Sequence, residues 1–372
     1  MRSEKDKGKR NSEKVRNSKL LHFSLYPFPL YLVWLEWPEK CFRVDAEALR
    51  YLKTLVPEGS RVVRARSEAA FLRSLPRATH AIVWNFKAEW FARAPKLKVL
   101  ATPAAGRELV PETGPKGVRI HFGHYHGEIM AESVVGFVTA WAHGFFAVRN
   151  APAKEAPWPR TWLSDKCYDV AGTKAVIVGY GNVGRAIGRK LASLGVEVIG
   201  VTRHGIYQAG SVPVCRRATI EQSIVCREGS VPVCRRATIE QSNNPNNPNN
   251  RTIRTILASA DWLVLALPST TGTDNWLNAA RIRQLPRRCV VVNVGRGNAL
   301  DEQALYAALK AKRLAGAYLD VRKHEPSGTV PEFGTNAALD SLRNCVVMPH
   351  SSAFSPTYVR RCFEELKDDG CL

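Results

Sequence analysis

Residues 174–194 read KAVIVGYGNVGRAIGRKLASL, and this stretch decides the fold of the second half of the chain. The apolar run Ala175–Val178 predicts a buried strand, and a helical stretch begins within the glycine pattern that follows. Gly179 permits a tight turn, Gly181 lets a ligand approach the backbone, and Gly184 lets the helix pack close to the sheet. The amides and dipole of a helix N-terminus favour a bound anion. The stretch therefore predicts a dinucleotide-binding turn in a parallel α/β sheet.

The end of the next predicted strand, Glu197–Val201, indicates which dinucleotide is bound. An acid at this position bonds the ribose 2′-hydroxyl, whereas a basic residue accommodates a 2′-phosphate. The chain has Thr202, Arg203 and His204 here and no acid, and Arg203 offers a planar cation to a phosphate. This pattern predicts NADP in preference to NAD. The alternative is that Arg203 is only the first solvated residue of the segment that follows.

Apolar runs alternate with helical stretches on both sides of this turn, which is typical of parallel α/β sheets. Downstream, a helix is predicted at Asp301–Lys312, and strands at Trp262–Leu267, Cys289–Val294, Ala317–Leu319 and Cys345–Met348. Upstream, helices are predicted at Asp45–Leu55 and Ser67–Leu75, and strands at Leu30–Leu35, Arg61–Val63, Ala81–Trp84 and Lys98–Ala101. One long apolar helix is predicted over Gly127–Val148, before a proline-rich linker.

Residues 206–250 interrupt this alternation. Gly210–Ser223 reads GSVPVCRRATIEQS, Gly229–Ser242 repeats it letter for letter, and Asn243–Asn250 is an Asn/Pro tract. Repeat proteins need three or more copies, so an identical tandem pair indicates a recent duplication or a flawed gene model. We expect a disordered surface insertion without a packed core. Contact of its arginine pairs with nucleic acid is the lesser alternative.

The 372 residues are enough for two domains, and 45% apolar with 23% charged residues excludes a disordered or fibrous chain. The nine cysteines are odd in number and form no Cys-x-x-Cys pair, which favours a reducing, cytoplasmic compartment over a disulfide framework. About half of the net charge of +21 is peripheral, since residues 1–20 hold eight Lys and Arg against three acids and residues 203–256 hold eight Arg against three Glu. Nucleic acid is therefore not an expected partner.

The apolar stretch Leu20–Leu35 follows this basic tail and raises the question of a signal peptide or membrane anchor. His22 and two prolines interrupt the stretch, Glu36 ends it, and no small-residue cleavage site follows. It is also shorter than the roughly 20 apolar residues that a spanning helix needs. We expect a basic, disordered tail over 1–24, a buried first strand, and no membrane association.

Three strand ends of the second half carry polar residues at the carboxyl edge, where open parallel sheets bind ligands. They are Arg296 in NVGRG at 293–297, Glu325 in LDVRKHEP at 319–326 and His350 in MPHSS at 348–352. Together with the glycine pattern, these motifs resemble the D-isomer-specific 2-hydroxyacid dehydrogenases in order and spacing, including a Glu five residues after Asp320. The resemblance covers roughly Lys96–Leu366, interrupted by the predicted insertion.

The resemblance implies an α/β fold of two Rossmann-like domains, a doubly wound NAD(P)-binding domain and a flavodoxin-like substrate domain. We expect the substrate domain at 25–148 and 349–372, and the dinucleotide-binding domain at 149–348. The implied activity is NAD(P)-dependent reduction of a small 2-keto acid, of the glyoxylate, hydroxypyruvate or pyruvate type, to the D-2-hydroxy acid. The implied assembly is a homodimer.

The chemistry of the three catalytic candidates fits this activity. Arg296 offers a fork of donors that can hold a carboxylate and polarise a keto oxygen. His350 is a ready proton donor near neutral pH, and a paired Glu325 would favour its imidazolium form. Each has an alternative role: a structural ion pair for Arg296, a strand end for Glu325 and a turn histidine for His350. His324 is a second candidate acid.

The resemblance also implies residues that bind cofactor and substrate. Thr273 matches a threonine that bonds the cofactor phosphates, Pro268 the wall of the adenine pocket, and Asp320 the acceptor for the nicotinamide amide. The loop Thr102–Gly106 matches one whose amides meet the substrate carboxylate. The candidate substrate-binding residues are Ala104, Ala105, Gly106 and Arg296. The candidate cofactor-binding residues are Gly179, Tyr180, Gly181, Asn182, Val183, Gly184, Thr202, Arg203, Pro268, Thr273, Val294, Gly295 and Asp320.

A metal site is considered at His121, His124 and His126, which lie close together in the sequence. Imidazole is a common metal ligand, but no nearby Cys or Asp completes a coordination shell. We therefore expect no metal.

Two rival functions remain at this level. A nicotinamide-sensing binding protein, similar to corepressors that share this fold, is supported only by the basic tail and the arginine-rich insertion. The complete Arg–Glu–His set disfavours it, because a sensor has no need of an acid, a clamp and an orienting carboxylate together. The second rival is an inactive dehydrogenase homologue, which the identical repeat suggests.

Overall fold

The structure, a computed structural model, describes residues 28–155, 157–203, 205–208, 248–325 and 337–372. Within these ranges the strands form two sheets, one of five strands and one of seven. The predicted tail at 1–24 and residues 209–247 of the predicted insertion lie outside the described residues.

The five-stranded sheet has the order β2-β1-β3-β4-β5, with all neighbours parallel. Its strands are β1 Leu30–Trp34, β2 Arg61–Arg64, β3 His80–Val83, β4 Val99–Thr102 and β5 Arg119–Phe122. Leu32 and Val33 are both fully buried and belong to hydrophobic clusters on opposite faces of β1. A strand covered on both faces needs a continuous apolar run, which explains why LYLVW was recognisable as a strand.

The seven-stranded sheet has the order β12-β11-β10-β9-β6-β7-β8 and is parallel except for the β7–β8 pair. Its strands are β6 Lys174–Val178, β7 Glu197–Thr202, β8 Gly205–Gln208, β9 Trp262–Leu265, β10 Val290–Asn293, β11 Gly316–Leu319 and β12 Cys345–Val347. From β6 the chain runs to β7 on one side and later to β9 on the other. This reversal makes the sheet doubly wound, as predicted, and opens a crevice at the carboxyl ends of β6 and β9.

The described helices connect and flank these strands. They are α1 Ala46–Leu55, α2 Glu68–Ser74, α3 His126–Ala142, α4 Phe145–Val148, α5 Arg160–Ser164, α6 Asn182–Ser193, α7 Pro248–Ser259, α8 Ala279–Ile282, α9 Glu302–Lys310, α10 Ala337–Asp340 and α11 Tyr358–Asp368. The helices predicted at Asp45–Leu55, Ser67–Leu75 and Asp301–Lys312 are confirmed with small shifts. Asp45, Ser67 and Asp301 cap α1, α2 and α9 because each side chain accepts a hydrogen bond from an amide of the first turn.

The structure corrects two predictions. The helix predicted over Gly127–Val148 is broken, because α3 ends at Ala142 and Gly144 adopts a left-handed φ of +71° before the short α4. Both ends of the predicted insertion at 206–250 are also ordered elements: β8 pairs with β7, and α7 begins at Pro248. Among the described residues, no helix combines the length and the apolar character needed to cross a membrane.

Two helices link the sheets. The final helix α11 returns to the five-stranded sheet, where Val359 and Phe363 join the cluster around Val33. Helix α3 contributes Ile129 to that same cluster but Val134 and further residues to the core of the seven-stranded sheet. The chain thus crosses from one sheet to the other near each of these helices, and a cleft lies between the two sheets. The predicted domain boundaries stay a prediction.

Candidate active site

His350 and Glu325 form an ion pair at the edge of the seven-stranded sheet. Because β11 and β12 are parallel neighbours, the residues that follow them meet at one edge, and His350 Nδ1 lies 2.8 Å from Glu325 Oε2. The side chains are 49% and 38% exposed, so the pair is accessible to solvent. The structure therefore brings together two of the three predicted catalytic residues.

The pKa shifts of both residues favour a charged histidine and an ionised glutamate. The hydrogen bond that His350 donates to Glu325 raises the pKa of His350, and burial opposes this only in part. Burial also raises the pKa of Glu325, but the hydrogen bond and charge of His350, the Arg322 amide and the charge of Arg296 outweigh it and lower that pKa. His350 is thus disposed to carry a proton, and Glu325 to remain a carboxylate.

The backbone at His350 is held in an unusual conformation. His350 has a left-handed φ of +52°, which is uncommon for a residue other than glycine. The His350 amide donates to the Asp320 carbonyl oxygen at 2.9 Å, and the Ser351 amide donates to Asp320 Oδ1 at 2.9 Å. The Asp320 carboxylate also accepts from the Ser352 amide and hydroxyl. These bonds fix the loop that carries the candidate proton donor.

Arg296 lies across the cleft from the five-stranded sheet and has a partner that the sequence did not indicate. Its Nη1 donates to the Gly295 carbonyl oxygen at 3.0 Å, and its Nε lies 3.4 Å from Glu108 Oε1. Gly106 lies against the same guanidinium, since a Cβ at Gly106 would be 2.5 Å from Arg296 Nη2. Glu108 follows Gly106 by two positions, but no spacing rule links it to a residue 188 positions away.

Arg296, His350 and the predicted substrate loop line one cavity of about 320 Å³, which we name the cleft cavity. Most of its other walls come from segments that the sequence did not connect with the site. The lining residues are Trp37, Glu39, Phe42, Trp84, Ala104, Ala105, Gly106, Glu108, Leu109, His126, Met130, Arg296, Pro349, His350, Ser352, Ala353, Phe354 and Tyr358. The Ala104 amide donates to Thr102 Oγ1 at 3.2 Å, which leaves the backbone at Ala105 and Gly106 as the freer part of the loop.

The glycine turn between β6 and α6 fits the pyrophosphate of a dinucleotide. Gly179 has a φ of +93°, and a Cβ there would lie 2.4 Å from the Ala266 carbonyl oxygen. At Gly184 a Cβ would lie 2.3 Å from the Gly179 carbonyl oxygen, whereas at Gly181 it would meet nothing within 4 Å. Gly181 also precedes α6 without a side chain that could cap its amides. The turn is tightly packed towards the sheet and open where an anion would bind.

The predicted ribose contacts lie at the turn between β7 and β8. Thr202 Oγ1 donates to the Gly205 carbonyl oxygen at 3.1 Å and accepts from the Gly205 amide, so it shapes this turn. Arg203 follows β7 and has an exposed side chain. The carboxyl end of β7 adjoins that of β6, so Arg203 lies at the edge where the ribose of a dinucleotide would bind.

Three other predicted cofactor contacts are engaged within the protein. Thr273 Oγ1 donates to the Pro268 carbonyl oxygen at 2.6 Å and stabilises the turn after β9. Gly295 packs against the same turn, because a Cβ there would lie 2.5 Å from the Leu267 amide nitrogen. Asp320 is 1% exposed, and the bonds to the His350 loop occupy its carboxylate. Its predicted contact with the nicotinamide amide stays a prediction.

The histidines considered as metal ligands have other neighbours. His121 Nε2 lies 3.0 Å from Glu365 Oε1, and His121 Nδ1 lies 3.5 Å from Asp369 Oδ2. These acids on α11 correct the premise that no acid is nearby, since His121, Glu365 and Asp369 have ligand atoms within 4.8 Å of one another. The two carboxylates face opposite ring nitrogens of His121, and Glu365 is hydrogen-bonded to it. His126 Nε2 instead meets Tyr358 Oη at 2.7 Å.

His324, the alternative acid, lies in a separate cavity beside Asp301 and Lys323. The cleft cavity does not include it among its lining residues. The structure therefore places only one of the two adjacent candidates, Glu325, at the His350 site.

The sequence matches a family model described as "D-isomer specific 2-hydroxyacid dehydrogenase, NAD binding domain" over residues 136–224 and 231–352. The match includes most of the segment 206–250 that the sequence analysis treats as an insertion. A glycerate dehydrogenase from Methylorubrum extorquens is 24% identical over 335 residues, which cover 88% of this chain and 89% of that protein. A glyoxylate reductase from Korarchaeum cryptofilum is 27% identical over 72% of this chain and 70% of its own length.

Solved structures show the same fold. A D-isomer specific 2-hydroxyacid dehydrogenase from Xanthobacter autotrophicus Py2, in complex with NADPH and MES, has a TM-score of 0.64 at 24% identity, covering 91% of this chain and 95% of that chain. An NADPH-dependent glyoxylate/hydroxypyruvate reductase from Sinorhizobium meliloti, in complex with NADP and sulfate, has a TM-score of 0.63 at 24% identity. The match covers 92% of this chain and 94% of that chain. The two sheets and the cleft between them are thus a known architecture.

Proposed function

The chain belongs to the D-isomer-specific 2-hydroxyacid dehydrogenase family and is an NAD(P)-dependent oxidoreductase; from this premise we propose that it reduces a small 2-keto acid to the D-2-hydroxy acid, with His350 as proton donor. Glyoxylate and hydroxypyruvate are the first candidates, because related proteins carry these names. The observation that carries the proposal is that His350, paired with Glu325, lines the same cavity as Arg296.

The roles of the three residues follow from their contacts. Arg296 and the backbone at Ala105–Gly106 bind the substrate carboxylate, for which the guanidinium offers parallel donors. Glu325 holds Nδ1 of the ring, so the transferable proton lies on Nε2 of His350. When bound, the reduced nicotinamide supplies the hydride that the carbonyl carbon accepts. His350 gives its proton to the carbonyl oxygen and becomes neutral, while Glu325 remains a carboxylate throughout.

NADPH is the proposed cofactor, with NAD as the alternative. The glycine turn accepts a pyrophosphate, and the strand end that would hold an acid for a 2′-hydroxyl carries Arg203 instead. The two similar structures named above hold NADPH and NADP, which supports this choice.

A cytoplasmic homodimer is the proposed state. The described cysteines Cys41, Cys167, Cys289, Cys345, Cys362 and Cys371 are all free thiols, which suits a reducing compartment. The apolar face of α3 is buried within its own chain, so it does not supply the dimer contact. The better support comes from the exposed aromatic residues Phe145 and Trp158, which are 66% and 80% exposed.

The rival function of a nicotinamide sensor draws no support from the described residues. Its basis was the basic segment 1–20 and the arginine pairs of the insertion, and both lie outside the described residues. A protein that only binds the dinucleotide needs no proton donor, so the ion pair at His350 favours an enzyme.

The replacement His350→Ala tests the proposal. We expect turnover to fall by roughly a thousandfold, because general acid catalysis contributes on that order, while NADPH affinity, measured by fluorescence titration, stays unchanged. The matched control is His324→Ala, which removes a nearby imidazole outside the cleft cavity and should retain turnover. Near-normal turnover in His350→Ala, or its loss in His324→Ala, would contradict the assignment.

A further inference from the structure

One side of the cleft cavity is lined by a continuous group of aromatic rings, which we name the aromatic wall. It consists of Trp37, Phe42, Trp84, Phe354 and Tyr358, all of which line the cavity. The ring centroids of Phe42 lie 4.6 Å from Tyr358, 5.1 Å from Phe354 and 5.6 Å from Trp84. Trp37 lies 5.4 Å from Trp84. These spacings are those of contacting aromatic pairs, so the rings form one surface.

Part of this wall is exposed, although its residues are large and apolar. Trp37 and Phe354 are 38% and 42% exposed, whereas Trp84 and Tyr358 are buried. Exposed aromatic surface inside a concave cavity is typical of a ligand-binding site rather than of a packed core. The free surface of the wall therefore faces the space in which a substrate side chain would lie.

The position of the wall relative to the catalytic residues directs the substrate. Phe354 follows His350 by four residues on the same loop, and both line the cavity with Arg296. A 2-keto acid would bind with its carboxylate at Arg296 and its keto oxygen at His350. The side chain on its carbonyl carbon would then occupy the rest of the cavity. The glycine turn at 179–184 does not line this cavity, so the wall faces the substrate side.

The size of the cavity also bears on the substrate. Its volume of about 320 Å³ has room for roughly ten water molecules at their share of liquid volume. Glyoxylate carries only a hydrogen as its third substituent and hydroxypyruvate a hydroxymethyl group, so neither would cover the wall. A planar aromatic group would bury its faces against Phe354 and Trp37.

Glu39 adds a polar feature to this apolar space. It lines the cavity, and its Oε2 is buried without a hydrogen-bond partner among the described residues. A buried acceptor left unsatisfied is destabilising, and a donor on a ligand would satisfy it. The carboxylate also repels a second negative charge at the far end of a substrate.

We propose that the preferred substrates are 2-keto acids whose side chain is an aromatic ring carrying a hydrogen-bond donor, such as a phenol hydroxyl or an indole N–H. The aromatic wall binds the ring, and Glu39 accepts the hydrogen bond. This inference rests on the proposed function, because Arg296 and His350 define the end of the cavity at which the keto acid group binds. It deepens that function by naming the class of side chain, and it ranks aromatic 2-keto acids above the glyoxylate and hydroxypyruvate that the names of related proteins suggest.

The test is a set of kcat/KM values for the full-length protein with NADPH. The substrates are 4-hydroxyphenylpyruvate, indole-3-pyruvate, phenylpyruvate, glyoxylate, hydroxypyruvate and oxaloacetate. We expect kcat/KM for 4-hydroxyphenylpyruvate to exceed that for glyoxylate by about tenfold or more, since apolar pockets discriminate on that scale. Oxaloacetate should be among the poorest substrates. A higher kcat/KM for glyoxylate or hydroxypyruvate than for every aromatic acid overturns the inference.

Two variants localise the effect. Phe354→Ala should lower kcat/KM for the aromatic acids by about tenfold, mainly through KM. The control Phe28→Ala removes an exposed phenylalanine outside the cavity and should leave these values unchanged. Glu39→Leu should abolish the preference for 4-hydroxyphenylpyruvate over phenylpyruvate. A preference that survives Glu39→Leu contradicts the role of Glu39.

Failure of the inference is distinguishable from failure of the proposed function. Reduction of glyoxylate but not of aromatic acids overturns the inference alone. If no 2-keto acid is reduced, the proposed function fails, and calorimetric titration with 4-hydroxyphenyllactate and with glycolate then tests the cavity directly. Tighter binding of the aromatic acid, weakened by Phe354→Ala, supports the inference, and equal binding of the two acids overturns it.

Discussion

The glycine turn and the catalytic cluster represent two different ways of building a site. All members of the turn lie within residues 179–184. Its shape depends on close backbone packing that leaves no room for a side chain at Gly179 or Gly184. The cluster of Arg296, Glu325, His350 and Glu108 joins residues that lie 25 and 188 positions apart. Added side-chain volume should therefore impair the turn, whereas a change of side-chain charge should impair the cluster. Four substitutions probe this difference.

The largest effect is expected from Gly179→Ala. Its Cβ would lie 2.4 Å from backbone at Ala266, and the φ of +93° is strained for alanine, so the free energy of unfolding should fall by about 3 kcal/mol. Chemical denaturation measures this change. NADPH affinity, measured by fluorescence titration, should fall with it.

The matched control for this variant is Gly181→Ala, because a Cβ there meets nothing within 4 Å. Its free energy of unfolding should stay within about 0.5 kcal/mol of the parent, but its NADPH affinity should fall, since the added methyl group faces the bound pyrophosphate. Equal stability of the Gly179 and Gly181 variants would contradict the packing argument.

In the cluster, Glu325→Gln should lower kcat by roughly a hundredfold and alter its pH dependence. Reduction needs protonated His350, so activity is present below the pKa of His350 and is lost as the pH rises through it. Glu325 raises that pKa, so its replacement moves the falling limb of the rate profile to lower pH. Glu325→Asp, which keeps the charge, should move the limb much less. A limb at the same pH in both variants would show that Glu325 does not set the pKa.

Arg203→Asp addresses the cofactor side through charge rather than volume. An aspartate repels a 2′-phosphate and accepts a hydrogen bond from a 2′-hydroxyl, so the ratio of kcat/KM for NADPH over NADH should fall by at least about tenfold. The fold should be unaffected, because the side chain is exposed. An unchanged ratio would remove the proposed role of Arg203.

The smallest effect is expected from Glu108→Gln. Glu108 competes with the substrate carboxylate for Arg296, and its loss should lower KM for a 2-keto acid by about threefold, which is the scale of an exposed ion pair. The control is Glu112→Gln, which breaks a comparable exposed pair with Arg107 outside the cleft cavity and should leave KM unchanged. An increase in KM for the Glu108 variant would instead make Glu108 a positioning residue for Arg296.

The two predictions that the structure corrects were wrong for local reasons. The helix predicted over Gly127–Val148 follows from apolar residues around its circumference, but Gly144 takes a left-handed φ that ends it. Residues 206–208 of β8 fall within the predicted insertion, because a four-residue antiparallel edge strand has little periodicity. No rule of spacing could connect Trp37 and Glu39 with the catalytic residues, because they lie after β1 in the other sheet.

The sequence by itself determined the glycine turn, the alternation of strands and helices, and the three polar residues at the carboxyl ends of strands. These features depend on residues that are neighbours in the chain, so their patterns are recognisable in the sequence alone. Only the tertiary structure decided that Glu108 meets Arg296, that Asp320 holds the loop of His350, and that aromatic rings line the cavity. Such contacts depend on how two sheets face each other, because packing brings together side chains that no local pattern relates.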